Sequence, residues 1–317
     1  MTSPAAVIAI DVGGTNIRAA LIAPSGEILV RSKGPTGTDP LSVIFQMADR
    51  LAASDSASVV GIGVAVAGVV DRFNGKVLRS PNISSLSGVA LSMLLTERCD
   101  LPVLIENDAN AAALGEKWLG AGREFDSFVL LTLGTGIGCG IVVNGALLPV
   151  AAEAGHMSIC NDGSACACGN IGCLEHYASA TAVVNRAVAA IEREAPSQLR
   201  ELHQGNFYRI TAENIYAAAL DGDALARTVL REAGKSLGVG MANLINLLSP
   251  QALVLAGGLT GAWNIYGEAA IQEASRRALP ELFFETQIIV SPVFDDAGLL
   301  GAGRLIWNGI QTEGKTR

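Results

Sequence analysis

The chain opens twice on the same pattern. Residues 7–10 read as a buried strand and 17–22 as its return, joined by Asp11-Val12-Gly13-Gly14-Thr15-Asn16, a glycine turn that links strand to strand and not strand to helix. Further on, residues 128–133 run into Gly134-Thr135-Gly136-Ile137-Gly138-Cys139-Gly140 and then into another apolar stretch at 141–143. Each half therefore begins with a hairpin whose tip is glycine plus a hydroxyl residue. At 317 residues the chain exceeds what one core usually supports, so two domains are expected. Strand patterns at 59–67, 103–105 and 253–256 alternate with helical patterns near 40–53, from Asp108, at 225–248, after Gly257-Gly258 and at 298–307. That alternation predicts an α/β layered fold.

Composition excludes several classes of function. Half the residues are apolar and 16% are charged, as suits buried sheets covered by helices. The net charge is −8 and no Lys/Arg block occurs, which argues against nucleic acid as a partner. The longest uncharged apolar run, 59–70, is too short and too glycine-rich to cross a bilayer, and no basic leader precedes the strand at residue 7. A cytoplasmic protein without a membrane partner is expected.

His156, Cys166, Cys168 and Cys173 form the most specific motif, with glycines at 163, 169 and 172 between the cysteines and beside them. Three thiolates and an imidazole are a tetrahedral zinc set that leaves no open position for a reactive water. A Zn²⁺ here is expected to hold a shape. Cys160 is off the spacing and reads as a neighbour; Cys99 and Cys139 lie far away in element interiors, so a disulfide framework is not expected.

The glycine tips suit anions, because backbone N–H groups in a tight glycine turn form a concave donor set. Gly13, Gly14 and Thr15, then Thr135 and Gly136, then Gly257 and Gly258 would give three walls around a nucleotide, and Asp11 is placed to hold Mg²⁺ through water. Gly234-Lys235-Ser236 mimics a P-loop but has Val229 where the earlier glycine belongs, and Gly61-Ile62-Gly63 has Val66 where a dinucleotide fingerprint needs its third glycine.

Asp11-x-Gly-Gly-Thr15-x-x-Arg18, Leu133-Gly-Thr-Gly136, Glu153-x-Gly-His156 and Cys166-x-Cys-Gly-x-x-Gly-Cys173-x-Glu175 together resemble the ROK family of sugar kinases, repressors and related proteins. The resemblance covers essentially the whole chain. It implies the two-domain actin-like ATPase (ribonuclease H-like) fold, with a cleft between a small domain, 1–118 completed by a C-terminal helix at about 298–314, and a large domain, 119–297, carrying the zinc loop 156–173. It also implies a homodimer or a dimer of dimers.

Glu106-Asn107-Asp108-Ala109-Asn110 ends a strand, where α/β folds place ligands. Asp108 is the candidate general base for deprotonating an acceptor hydroxyl, its bland alternative being a helix cap. Asn107 is expected to bond a sugar hydroxyl and Asn110 to lie on the helix surface. Asn82, Glu153, His156, Glu175 and the Gly68 backbone complete the expected sugar set, while Asp71, Arg72 and Arg79 read as solvated loop charges. By resemblance, Glu153 and Glu175 accept from hydroxyls near the anomeric end. The expected activity is ATP-dependent phosphorylation of the 6-hydroxyl of glucose, with N-acetylmannosamine or N-acetylglucosamine as alternative substrates. A sugar-sensing repressor of the same family is the contrasting class, disfavoured because the first glycine hairpin begins at residue 7 with no helix-turn-helix ahead of it.

Overall fold

The computed structural model describes residues 4–293 and 295–313. Strands β1 (Ala5–Val12), β2 (Asn16–Ile22) and β3 (Ile28–Pro35) form an antiparallel meander. Helix α1 (Pro40–Ala52) follows, started by Asp39, whose carboxylate accepts the Ser42 N–H at 3.2 Å, with proline in the first turn where its missing donor costs nothing. Strand β4 (Ser58–Val66) then pairs parallel to β1, a small hairpin β5 (Val69–Asp71) and β6 (Lys76–Arg79) intervenes, and helix α2 (Leu91–Cys99) leads to β7 (Val103–Asn107), parallel to β4. The sheet order is β3-β2-β1-β4-β7. Helix α3 (Asp108–Leu119) leaves directly from the end of β7.

The second half repeats this plan. Strands β8 (Phe128–Leu133), β9 (Ile137–Val143), β10 (Ala146–Leu147), β11 (Ala252–Ala256) and β12 (Gln287–Val290) take the order β10-β9-β8-β11-β12, again a central first strand with the hairpin on one side and parallel strands on the other. Helices α4 (Glu175–Ala178), α5 (Ala180–Glu192), α6 (Ala212–Leu220) and α7 (Ala224–Leu248) precede β11; α8 (Trp263–Arg277) and α9 (Pro280–Glu285) follow it, and α10 (Ala297–Glu313) closes the chain. Gly234-Lys235-Ser236 lies inside α7, which rules it out as a phosphate loop.

The chain divides into two compact units. One holds the described residues up to Ser127, Gly140–Ala152 and those from Ser291 onward; the other holds Phe128–Cys139 and Glu153–Val290. In the first unit β1 is buried on both faces, which is why its sequence is apolar from Ala5 to Ile10. Ile8, Ile10 and Val12 join Ile44, Leu51, Leu91 and Leu95 of α1 and α2 in one core layer, whereas Val7 and Ala9 join Leu299, Leu300, Ile306 and Trp307 of α10 in the other. Burying those four α10 side chains contributes on the order of 10 kcal/mol before conformational entropy is charged.

Among the described residues, no helix is long and apolar enough to cross a membrane. Cys99 is the last residue of α2, not an interior one, and Cys139 is buried in β9.

Candidate functional site

In the first unit, Asp11 stands opposite Arg18 across the β1–β2 pair, and the register makes them an ion pair at 2.5 Å with the Asp11 side chain only 12% exposed. Arg18 also donates to the Asp295 carbonyl. A hydrated Mg²⁺ at Asp11 would therefore share the carboxylate with a guanidinium. The Gly13-Gly14-Thr15 tip is buttressed by Thr36, whose hydroxyl donates to the Gly13 carbonyl at 2.6 Å and whose N–H donates to the Thr15 carbonyl at 3.0 Å. Gly14 and Thr15 are exposed, and Gly14 stands against the Asn82 side chain, so these two expected site residues are neighbours.

At the β7–α3 junction the structure assigns the helix cap and corrects the expectations for Asn110 and Arg72. Asn107 is the helix cap: its Oδ1 accepts the N–H groups of Ala109 at 2.9 Å and Asn110 at 3.1 Å, while its Nδ2 donates to the Gly68 carbonyl at 2.9 Å. Asp108 is the first residue of the helix, half-buried, with a carboxylate oxygen accepting its neighbour's N–H at 3.0 Å. Asn110 is not on the helix surface but 3% exposed, because its Nδ2 is drawn inward to Glu106 Oε1 and the Val150 carbonyl, each at 3.1 Å. Glu106 is buried as well, and Arg72 lies 3.5 Å from its Oε2, so Arg72 is not a freely solvated loop charge. Asp71 serves its own turn, accepting from Phe73 and Asn74 N–H groups. Glu106 and Arg72 were absent from the expected site; the available signal was a carboxylate in the apolar strand 103–107, which a buried sheet tolerates only with partners.

In the second unit, the Gly134-Thr135-Gly136 tip and Gly257-Gly258 sit at the carboxyl ends of adjacent parallel strands, with Thr132 of β8 in register with Ala256 of β11 and Gly257 packed on the Leu133 backbone. The tip is tied to the start of α5: Thr181 Oγ1 donates to the Thr135 carbonyl at 2.7 Å and the Ala180 N–H to the Gly134 carbonyl at 2.9 Å. Glu175 packs on the tip, its Oε2 accepting the Ile137 N–H at 2.8 Å. A Cβ at position 136 would meet that carboxylate, which would have to give up its place on the tip. Gly155, in the short turn Ala154–His156 that follows Glu153, rests on the Ile137 backbone. Gly155 and Glu175 thus meet on the Gly136-Ile137 backbone, with Glu153, His156 and Thr135 close by in the chain.

The ligand atoms of His156, Cys166, Cys168 and Cys173 all lie within 4.8 Å of one another. His156 Nδ1 is 3.8 Å from Cys166 Sγ, and Cys168 Sγ is 3.7 Å from Cys173 Sγ. The edge of a tetrahedron with zinc–sulfur bonds of about 2.3 Å is about 3.8 Å, so both separations fit a zinc-sized ion, and the Cys168 and Cys173 sulfurs are too far apart for a disulfide. Asn170 clasps the loop, its Nδ2 reaching the His156 carbonyl and Ser158 Oγ, both at 3.0 Å. Gly172 has φ +73° and abuts the Cys160 backbone, a position closed to a side chain. Cys160 itself is exposed and outside the group. Burial pushes the Cys173 thiol up to about 12, so an ion binding there displaces a proton.

These two sites lie on a repeated α/β plan that defines a class of protein. The ROK family model matches residues 7–308, and the chain belongs to the ROK family. It is 34% identical over 312 residues to the glucokinase of Halalkalibacterium halodurans, covering 94% of both chains. The solved ROK family glucokinase from Streptomyces griseus, in complex with glucose and AMPPNP, is 34% identical, with a TM-score of 0.82 over 95% of this chain and 98% of that one. A ROK family transcriptional regulator, a homologue of the E. coli MLC protein, is 30% identical, with a TM-score of 0.85 over 94% of this chain and 77% of that one. The fold is the actin-like ATPase fold of these sugar kinases.

Proposed function

We propose that the chain is an ATP-dependent glucokinase that transfers the γ-phosphoryl group of ATP to the 6-hydroxyl of glucose. The observation that carries this reading is the 34% identity, over nearly the full length of both chains, to a glucokinase solved with glucose and a nucleotide analogue. Identity to the regulator is lower, at 30%.

Asp108 is the general base: a carboxylate on the first turn of α3 takes the hydroxyl proton as the oxygen attacks phosphorus. Asn107 fixes the corner from which Asp108 projects and has a second amide N–H for a sugar oxygen. Asn82, Glu153, His156 and Glu175 recognise sugar hydroxyls, and Gly68 contributes backbone. Gly13, Gly14, Thr15, Thr135, Gly136, Gly257 and Gly258 receive the nucleotide. ATP supplies the phosphoryl group, and Mg²⁺, held near Asp11 through water, would offset phosphate charge. The Cys₃His group would hold Zn²⁺ and fix His156 and, through the turn before it, Glu153. The reading also includes a cytoplasmic homodimer or dimer of dimers, which light scattering tests.

A coupled ADP-release assay over glucose, N-acetylmannosamine, N-acetylglucosamine and fructose tests the activity, with glucose expected to give the highest kcat/KM. Asp108→Asn is expected to cut kcat by at least about 100-fold while leaving glucose affinity within about threefold. No ADP release with any hexose overturns the kinase reading; a variant keeping more than about a tenth of parental kcat overturns the base.

A further inference from the structure

We propose that Arg72 and Glu106 form a surface-to-core ion pair that positions Asp108, a role distinct from substrate contact. The inference rests on the reading of Asp108 as the base.

Glu106 is the penultimate residue of β7, level with Ala65 of β4, and its side chain is 4% exposed. A carboxylate is costly at such depth and persists only where its partners hold it. Its Oε1 accepts two donors, the Asn107 N–H at 3.0 Å and Asn110 Nδ2 at 3.1 Å. Asn107 in turn accepts the Ala109 and Asn110 N–H groups. The backbone on both sides of Asp108 is therefore held, before it by the Glu106 carboxylate on the Asn107 N–H and after it by the Asn107 side chain on the Ala109 and Asn110 N–H groups. The remaining carboxylate oxygen, Oε2, is buried and makes no hydrogen bond, and Asn110 Oδ1 is in the same state. What faces Oε2 is the Arg72 guanidinium at 3.5 Å, its side chain 38% exposed and lying 5.5 Å from the Phe73 ring. Arg72 is at the turn of the β5–β6 hairpin, and Gly68, just before that hairpin, takes the Asn107 amide. The hairpin thus grips the junction at two points, one of them ionic.

Proton transfer in the transition state depends on a carboxylate oxygen placed to a fraction of an ångström, whereas ground-state sugar binding is spread over many contacts. Loss of the guanidinium leaves the buried Glu106 Oε2 without the group that faces it, and a carboxylate so stranded shifts from its place and weakens its hold on Asn107 and Asn110. The signature is a fall in kcat without a matching rise in KM.

The experiment compares Arg72→Gln, Arg72→Lys, Glu106→Gln and the Arg72→Gln/Glu106→Gln double variant with the parent and with Asp108→Asn, using steady-state kinetics and amide hydrogen exchange on the full chain. Arg72→Gln is expected to lower kcat by about tenfold or more with both KM values within about threefold, Arg72→Lys to recover most of the loss, and the double variant to be no slower than the slower single one. Exchange at Asn107, Ala109 and Asn110 is expected to quicken by about tenfold in Arg72→Gln, a readout that needs no substrate. Parental kcat in Arg72→Gln, multiplying losses in the double variant, a loss carried by KM alone, or unchanged exchange overturns the proposal. An inactive Asp108→Asn beside a normal Arg72→Gln sinks this inference alone; an active Asp108→Asn sinks the base and this inference with it. Should Glu106→Gln fail to fold, the half-exposed Arg72 variants carry the test by themselves.

Discussion

Asn107 shows how a side chain read from sequence for one role can carry another as well. The string Glu-Asn-Asp offered two residues able to cap a helix and two able to meet a substrate, and propensity alone does not divide the work. The structure assigns capping to Asn107 and leaves Asp108 as the first helical residue. The assignment gives a stability prediction. Asn107→Ala removes two accepted backbone bonds and one donated bond to Gly68, and is expected to cost about 1–2 kcal/mol in urea unfolding, the usual scale for a lost cap. Asn107→Asp keeps the cap but faces a carboxylate oxygen to the Gly68 carbonyl; it is expected to lose less stability than the alanine variant while still lowering kcat. Equal stability of Asn107→Ala and parent would contradict the cap. Arg72 and Asn110 teach the complementary lesson. Their types suggest solvent, and only the position of Glu106 between them draws one toward the core and the other into it.

At the scale of elements, the cysteine loop is the segment whose chemistry was most legible, because four candidate ligands of two types at short spacing restrict the chain to a few closures. Its second layer was not legible: Asn170 reads as an ordinary polar loop residue, yet it ties the His156 carbonyl and Ser158. Cys168→Ser is expected to reduce bound zinc from about one ion per chain to near none under mild chelation and to raise the sugar KM several-fold, since an apparent binding free energy on the order of 10 kcal/mol then no longer holds the loop. Cys160→Ser is the control, exposed and outside the ligand group, and is expected to keep both metal and KM. Elemental analysis of the two proteins separates a ligand from a neighbour. If Cys168→Ser keeps its zinc, the ligand set is wrong.

At the scale of the whole chain, the first unit is assembled from both ends of the sequence, and Glu116 is one of the ties. Near the end of α3, its Oε2 accepts the Ala121 N–H at 2.8 Å and its Oε1 bonds the Ser291 hydroxyl, at the start of the returning segment. Burial holds the Glu116 carboxyl above the ordinary glutamate value, an effect larger than that of its two hydrogen bonds. A group whose folded value is raised binds its proton more tightly in the native state. Its contribution is full below the unfolded value, about 4.3, and is lost as pH rises through the folded one. Glu116→Gln, which stays neutral, is therefore expected to gain melting temperature relative to the parent as pH climbs from about 4 toward 8, and to gain nothing further above the folded value. A difference that stays flat across that range would count against a Glu116 carboxyl raised by burial.

The sequence by itself determined the repeated hairpins, the alternation of strand and helix, the Cys/His group that could hold a metal and the strand end that leads into Asp108. Each of these is written in local order: a period of two or of 3.6, a glycine where the chain turns, a thiol spacing. Only the tertiary structure decided that Asn107 is a cap, that Glu175 lies on the Gly136 backbone, that Asn110 is buried and that Arg72 reaches Glu106. Apart from the Asn107 cap, which is local, those facts depend on what a distant segment presents. Arg72 and Glu106 are 34 positions apart in the chain and 3.5 Å apart in space, and no local pattern encodes that approach.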